Sequence, residues 1–220
     1  MIGFRIICGG AALLAAGPGA VHAQGSAAAV LARAQTAYDQ TTTLRAQFRQ
    51  MIDNPMLGEP EPSYGTLYLS PPDRFAMRFS DPEGDRIVAD GEWLWLYTPS
   101  TTPNQVIKQP VPSAGAATPN LFAQFVDRPL ERYAASYVGS ETVDGVRTDR
   151  VRLVPRVEGL PFREATISVS QANGSLKKLD LVEESGQRRT LVFLSLETNI
   201  PIPARELIFR PPAGVRIVEP

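Results

Sequence analysis

From Ser26 to Tyr38 the chain reads SAAAVLARAQTAY, and Val30, Leu31, Ala34, Ala37 and Tyr38 fall on one stripe of an amphipathic helix with Ser26 at its N-cap. The period then drops to two. Leu44, Ala46 and Phe48 alternate with Arg45, Gln47 and Arg49, the pattern of a strand with one wet face. A loop over 53–63 leads to a strand at 64–70. Next comes RFAMRFS (74–80), with Phe75, Met77 and Phe79 against Arg74, Ala76 and Arg78. Asp81-Pro82-Glu83-Gly84 reads as a turn, 86–89 as a short strand, and Asp90-Gly91 as a hairpin into EWLWLY (92–97), with a return at 105–109. PVPSAGAA (110–117) reads as a flexible approach to a second helix. Thr118-Pro119 predicts its N-cap and first residue, Leu121, Phe122, Phe125 and Val126 form one face, and Arg128-Pro129 ends it. Strands at 133–141, 146–155, 162–170, 176–184 and 188–198 follow, three of their hairpins carrying Asp144-Gly145, Asn173-Gly174 and Ser185-Gly186. A last strand is predicted at 206–209, before the tail RPPAGVRIVEP.

That makes about eleven strands and two amphipathic helices, at the spacing of a sandwich or barrel. A long antiparallel sheet curls, so the economical arrangement is a strongly curved sheet with helices packed into its mouth. Two strands break the expected alternation. In EWLWLY, Trp93, Trp95 and Tyr97 point one way and Leu94 and Leu96 the other. TLVFLSL (190–196) is likewise apolar on both faces. Such strands fit either a second apolar environment beside the inner one or packing at a sheet edge.

Composition narrows the function. The chain has 220 residues, 22 basic and 23 acidic, so it lacks the basic footprint of a nucleic-acid binder, and its 17 Gly and 20 Pro suit a globular chain rich in turns. Residues 1–23 read as a secretory signal peptide, with Arg5, an apolar run from Ile6 to Ala16, and Val21-His22-Ala23 as the cleavage site. The run is too short to span a membrane. Cys8 lies within it behind Arg5-Ile6-Ile7, without the small residues that precede a lipid-attachment cysteine. Residues 24–220 are expected to form one exported domain.

Cleavage would remove the only Cys, Cys8, and the only His, His22. A mature chain of about 197 residues would then lack disulfides, thiol nucleophiles, His bases and the usual zinc ligands. Glu183 and Glu184 face opposite ways on a strand, and Lys177-Lys178 read as charges on an edge strand. No Gly-rich phosphate loop is present. The expectation is a binder with no catalytic residue, cofactor or metal. The apolar face Phe75, Met77 and Phe79, the aromatic face of EWLWLY, Phe48, and Leu121, Phe122 and Phe125 could converge inside one curved sheet. For any one of these residues alone ordinary core is the favoured reading; it is the set taken together that exceeds what a closed core needs.

These elements, in order, resemble the LolA-type periplasmic carriers of outer-membrane lipoproteins, from about Val30 to Val218. Phe48 and Gln50 match the family's F-x-Q element. Gly65-Thr66-Leu67-Tyr68-Leu69, the proline corner and Arg74-Phe75 match its G-x-L segment. ADGEWLWLYTPSTTPNQV (89–106) matches its D-G-x-x-L-W-x-Y block, and the helix after Thr118-Pro119 and PPAGVRIV fall at equivalent places. The resemblance implies an incomplete β-barrel with helices forming a lid over an apolar cavity. It implies acylated lipoproteins as cargo, an inner-membrane lipoprotein-releasing ABC transporter as donor and an outer-membrane lipoprotein receptor as acceptor, for a monomer. Phe75 matches the family's cavity-mouth aromatic. With it, Phe48, Leu67, Met77, Phe79, Trp93, Trp95, Leu121, Phe122 and Phe125 are the expected cargo contacts, Trp93 and Trp95 being assigned to the cargo face of their strand. Family members carry an Arg before the corner proline that helps hold the lid closed. Here Ser70-Pro71-Pro72 puts Pro71 in its place, so either Arg74 or Arg78 substitutes or lid control differs. The alternative reading is another lipid-binding or lipoprotein-sensing domain of this fold, of the envelope-stress regulator type.

Overall fold

The computed structural model describes residues 26–54, 56, 58–111 and 120–220. The expected signal peptide with Cys8 and His22, and the expected Thr118-Pro119 cap with its approach, lie outside them. Helix α1 (Ala27–Asp39) is capped by the Ser26 hydroxyl, which accepts from the Ala29 N–H at 3.1 Å. Strands β1 (Leu44–Asp53), β2 (Pro62–Ser70), β3 (Arg74–Asp81), β4 (Glu83–Asp90), β5 (Trp93–Tyr97) and β6 (Gln105–Pro110) follow as a meander. Helices α2 (Leu121–Val126) and α3 (Pro129–Arg132) precede a second meander, β7 (Tyr133–Val143), β8 (Val146–Pro155), β9 (Phe162–Ser170), β10 (Leu176–Glu183) and β11 (Arg188–Thr198).

Strand β11 pairs antiparallel with β1 and joins the two meanders into one open, curled sheet of order β12-β6-β5-β4-β3-β2-β1-β11-β10-β9-β8-β7. Its end strands β7 and β12 (Arg216–Val218) are not paired with each other, so the barrel is incomplete. Two expectations fail at the C-terminus. The segment 206–209 is no strand, because Pro201 and Pro203 lead into a 3-10 turn at Ala204–Leu207. Instead the tail supplies β12, parallel to β6, with Ile217 opposite Val106. Its partner lies over a hundred residues away, which leaves no local turn signal.

The inner face holds the main core. It takes Leu44, Ala46 and Phe48 from β1, Leu67 and Leu69 from β2, Phe75 and Met77 from β3, and Val30, Leu31 and Ala34 from α1. Phe48 meets Phe79 edge to face at 5.2 Å between centroids. This arrangement requires Gly65: a Cβ there would stand 2.3 Å from the Arg78 carbonyl oxygen and 2.7 Å from Phe48 Cζ. On the inner side, α1 is tied to β8 by Arg33–Asp149 at 2.7 Å. Helix α2 is tied to β7 through buried Tyr133, whose hydroxyl accepts from the Gln124 amide at 2.7 Å and donates to the Gln124 carbonyl at 2.9 Å.

A second core lies on the outer face. Ala76, Val88, Trp95 and Val106 are covered there by Leu207 and Phe209 of the C-terminal segment, with Trp93, Tyr97 and Ile202 at the margin. This is the second apolar environment that EWLWLY requires. TLVFLSL has a different cause, a register shift opposite Gln47 and Phe48, where Ser195 and Phe193 are partners and Leu194 is extra. Past that bulge the inward positions pass from Leu191 and Phe193 to Leu196.

Candidate functional site

A cavity of about 410 Å³ opens on the inner face of the sheet. Phe75 and Met77 of β3, Ile87 of β4 and Leu94 of β5 form one wall. Leu179 and Leu181 of β10 and Leu191 of β11 form the other, and Leu121 of α2 with Pro161 and Phe162 completes the lining. Strand alternation explains the set. Phe75, Met77, Ile87 and Ala89 share a face through the β3–β4 register, and Ala89 pairs with Leu94 across the next hairpin. The volume falls within the range of ordinary small-ligand sites, about 300–1,000 Å³, and away from one end the wall is hydrocarbon.

One end is different. Gln50, Glu183 and Arg189 also line the cavity, from the adjacent strands β1, β10 and β11. Arg189 donates from Nε and Nη2 to Glu183 Oε1 at 3.2 and 3.1 Å, and from Nη1 to Gln50 Oε1 at 3.2 Å. Gln187 donates to Glu183 Oε2 at 3.1 Å. A smaller hollow of about 250 Å³ lies beneath α1, bounded by Tyr38, Phe122, Val126 and the 173–176 turn. Helix α2 separates the two, with Leu121 on the larger and Phe122 on the smaller.

Of the residues expected from the sequence, Phe75, Met77 and Leu121 line the larger cavity. Phe48, Leu67, Phe79, Phe122 and Phe125 face inward but belong to the packing beside it, Phe122 against Phe193 at 5.0 Å and Phe125 against Phe162 at 5.4 Å. Trp93 and Trp95 require correction, because their side chains lie on the outer face. Trp95 donates from its indole to Asp90 Oδ2 at 2.9 Å and packs on Phe209 at 5.6 Å, while Lys108 Nζ sits 3.7 Å above the Trp93 ring. Their neighbour Leu94 reaches the cavity instead. The even loop of the Asp90-Gly91 hairpin carries that parity in the sequence, where the aromatic side chains draw attention to the wrong face. Ile87, Phe162, Leu179, Leu181 and Leu191, and the polar group Gln50, Glu183 and Arg189, were not among the expected contacts. Ile87 follows from the β3–β4 register, while the others become visible only once β11, β10 and β9 are set beside β1.

Asp90 anchors the outer face of β5. Burial alone would raise its carboxyl, but N–H donors from Trp93, Trp95 and Glu92 outweigh it and hold it below its ordinary value.

The expected lid residues also require correction. Arg78 lies on the outer face and donates to the carbonyls of Arg205 and Glu206 at 2.6 and 3.2 Å, with an ion pair to the Glu206 carboxylate at 3.1 Å. It clasps the C-terminal segment, not the helices. Arg74 is exposed close to Gly91, across from Asp90 in the β3–β4 register. The helix contact at the proline corner comes from Asn120, the N-cap of α2, whose side-chain oxygen accepts from the Ala123 N–H at 3.0 Å. Its amide nitrogen donates to the Tyr38 hydroxyl of α1 at 2.9 Å and to the Pro72 carbonyl at 3.4 Å. Where an arginine would donate from the corner, this chain accepts there. Burial, the leading effect, pushes the Tyr38 phenol above its ordinary value and keeps it neutral within this contact.

Among the described residues no three His, Cys, Asp or Glu side chains gather into a metal-binding group, and no helix is long and apolar enough to cross a membrane.

Residues 39–209 match the family model described as outer membrane lipoprotein carrier protein LolA. An outer-membrane lipoprotein carrier protein of Methylibium petroleiphilum is 30% identical over 179 residues, covering 81% of this chain and 84% of that protein. Among solved structures, an uncharacterized conserved protein from Thermus thermophilus superposes with a TM-score of 0.53 at 14% identity, covering 87% of this chain and 97% of that one. MucB superposes at 0.51 and 16% identity, covering 87% and 65%. These two likenesses establish the fold alone.

Proposed function

The chain belongs to the LolA family of outer membrane lipoprotein carrier proteins, and from that premise we propose that it shelters the acyl chains of lipoproteins in its inner cavity and carries them through the periplasm. The observation that carries this reading is the hydrocarbon-walled cavity of about 410 Å³ beneath α2, opening on the concave face of an unclosed sheet. It takes cargo from an inner-membrane ABC transporter and hands it to an outer-membrane receptor. Phe75, Met77, Leu94, Leu121 and Leu181 are the cargo contacts, and no covalent step is involved.

Magnitudes explain why the transfer must be direct. At about 0.8 kcal/mol per CH₂, burying one sixteen-carbon chain is worth on the order of 12 kcal/mol. Two or three fully buried chains would pass the practical ceiling on affinity, about 18–21 kcal/mol, and release would be too slow. A carrier therefore shelters its cargo incompletely and passes it to a partner that takes the chains as they emerge. The two hollows flanking α2 supply room of this kind, since displacing one short helix would join them.

The test is uptake of lipoproteins from inner-membrane vesicles containing the cognate transporter. The purified protein is expected to carry lipoprotein into the soluble fraction in an ATP-dependent manner, and Phe75→Glu to reduce this at least tenfold while the circular dichroism spectrum stays unchanged. No ATP-dependent uptake by the wild type would overturn the reading. Undiminished uptake by Phe75→Glu would remove Phe75 from the cavity contacts.

A further inference from the structure

The end of the cavity where Gln50, Glu183 and Arg189 meet has no role in sheltering hydrocarbon, and a wholly apolar occupant would strip water from an ion pair. All three occupy inward positions on neighbouring strands, at sites that Leu or Val would fill if closure were the only demand. Arg189 and Glu183 retain 33% and 25% exposure of their side chains, so the pair borders both water and cavity. A guanidinium has five N–H groups. Three are directed at Glu183 and Gln50, which leaves two on Nη1 and Nη2 without an acceptor among the described residues. The Gln50 oxygen accepts from Arg189, which leaves its amide N–H groups as further donors at the same place.

We propose that Arg189 and Gln50 form a polar subsite at the end of the apolar cavity that binds the carbonyl oxygens of acyl esters, so that the tails lie along Met77, Leu94 and Leu181 and the ester linkage is held at the rim. This inference rests on the carrier reading and names the part of the cargo that the cavity recognises. Charge decides between acceptors. Glu183 already neutralises Arg189, so a carboxylate or phosphate arriving there meets no net positive charge and faces a fixed carboxylate beside its partner. A neutral ester carbonyl accepts the free N–H groups without that repulsion. The subsite thus favours O-acyl glyceryl groups over free fatty acids.

The test measures three ligands by fluorescence competition: a diacylglyceryl-modified lipopeptide, its dialkyl ether analogue lacking both ester carbonyls, and palmitate. The wild type is expected to bind the ester form at least tenfold more tightly than the ether form. Arg189→Lys and Gln50→Leu, which keep the charge and the volume respectively, should each bring that ratio toward one. Glu183→Gln should improve palmitate binding severalfold by leaving Arg189 with its charge exposed. A wild-type ratio near one, a ratio unchanged in both Arg189→Lys and Gln50→Leu, or no gain for palmitate in Glu183→Gln overturns the subsite. Ratios within one protein cancel any general loss of folding. If the wild type binds none of the three ligands, the carrier reading itself fails, and the subsite with it.

Discussion

Asp90 carries more structure than a turn residue ordinarily does. Its two carboxylate oxygens accept from the backbone N–H groups of Glu92 and Trp93 and from the Trp95 indole, so one side chain closes the β4–β5 hairpin and fixes an aromatic ring on the outer core. Because these donors hold its folded-state pKa below the ordinary value of 3.8, the charged form is favoured by folding. That contribution is fully present above the unfolded value and drains away as the pH falls through the lower folded one. Asp90→Asn keeps one acceptor and loses the charge. It should lower stability by about 1 kcal/mol at neutral pH, solvent screening included. In urea titrations the gap between variant and wild type should narrow steadily below pH 4, and a gap that widens there would contradict the assignment. Residues of this kind set parity. With Asp90 and Gly91 in the turn, Leu94 faces the cavity and Trp95 faces away, although the tryptophans look like the better lipid contacts when the sequence is read alone.

Elements differ in how plainly they are written into the chain. Strands closed by Asp90-Gly91, Asp144-Gly145 and Asn173-Gly174 are legible because a local residue must take a positive φ, as Asp144 and Gly145 do at 47° and 76°. Strand β12 is not legible, since its only partner is parallel and distant, and neither is the C-terminal crossing, whose target is an outer face built from four other strands. The lid belongs to the same class. Its hold on the corner depends on Asn120 meeting Tyr38 and Pro72, residues separated by 82 and 48 positions. Tyr38→Phe keeps the α2 cap and removes one of these bonds. Hydrogen exchange of the α2 amides should accelerate about fivefold in that variant, for a loss near 1 kcal/mol, with β1 and β11 unchanged. Unaltered α2 exchange would show that the bond does not hold the helix. Asn120→Ala removes cap and contact together and should accelerate exchange further.

At the scale of the molecule, one sheet has to serve two faces. Its inner face is divided between packed core and cavity. Part of its outer face is sealed by the chain's own C-terminal segment, clasped through Arg78, so the sheet gains stability from a core separate from the cavity. This division lets the inner surface stay incompletely filled, which a carrier needs and a protein with a single core could ill sustain. Under the proposed function, acyl chains lie against the inner walls and the tryptophan-rich outer face stays dry of them. The direct measurement is photo-crosslinking from a lipopeptide with a diazirine in its acyl chain, followed by peptide mapping. Adducts are expected at Met77, Leu94, Leu121 and Leu181, competed away by unlabelled lipopeptide. Competable adducts concentrated at Trp93, Trp95 or Tyr97 instead would contradict it.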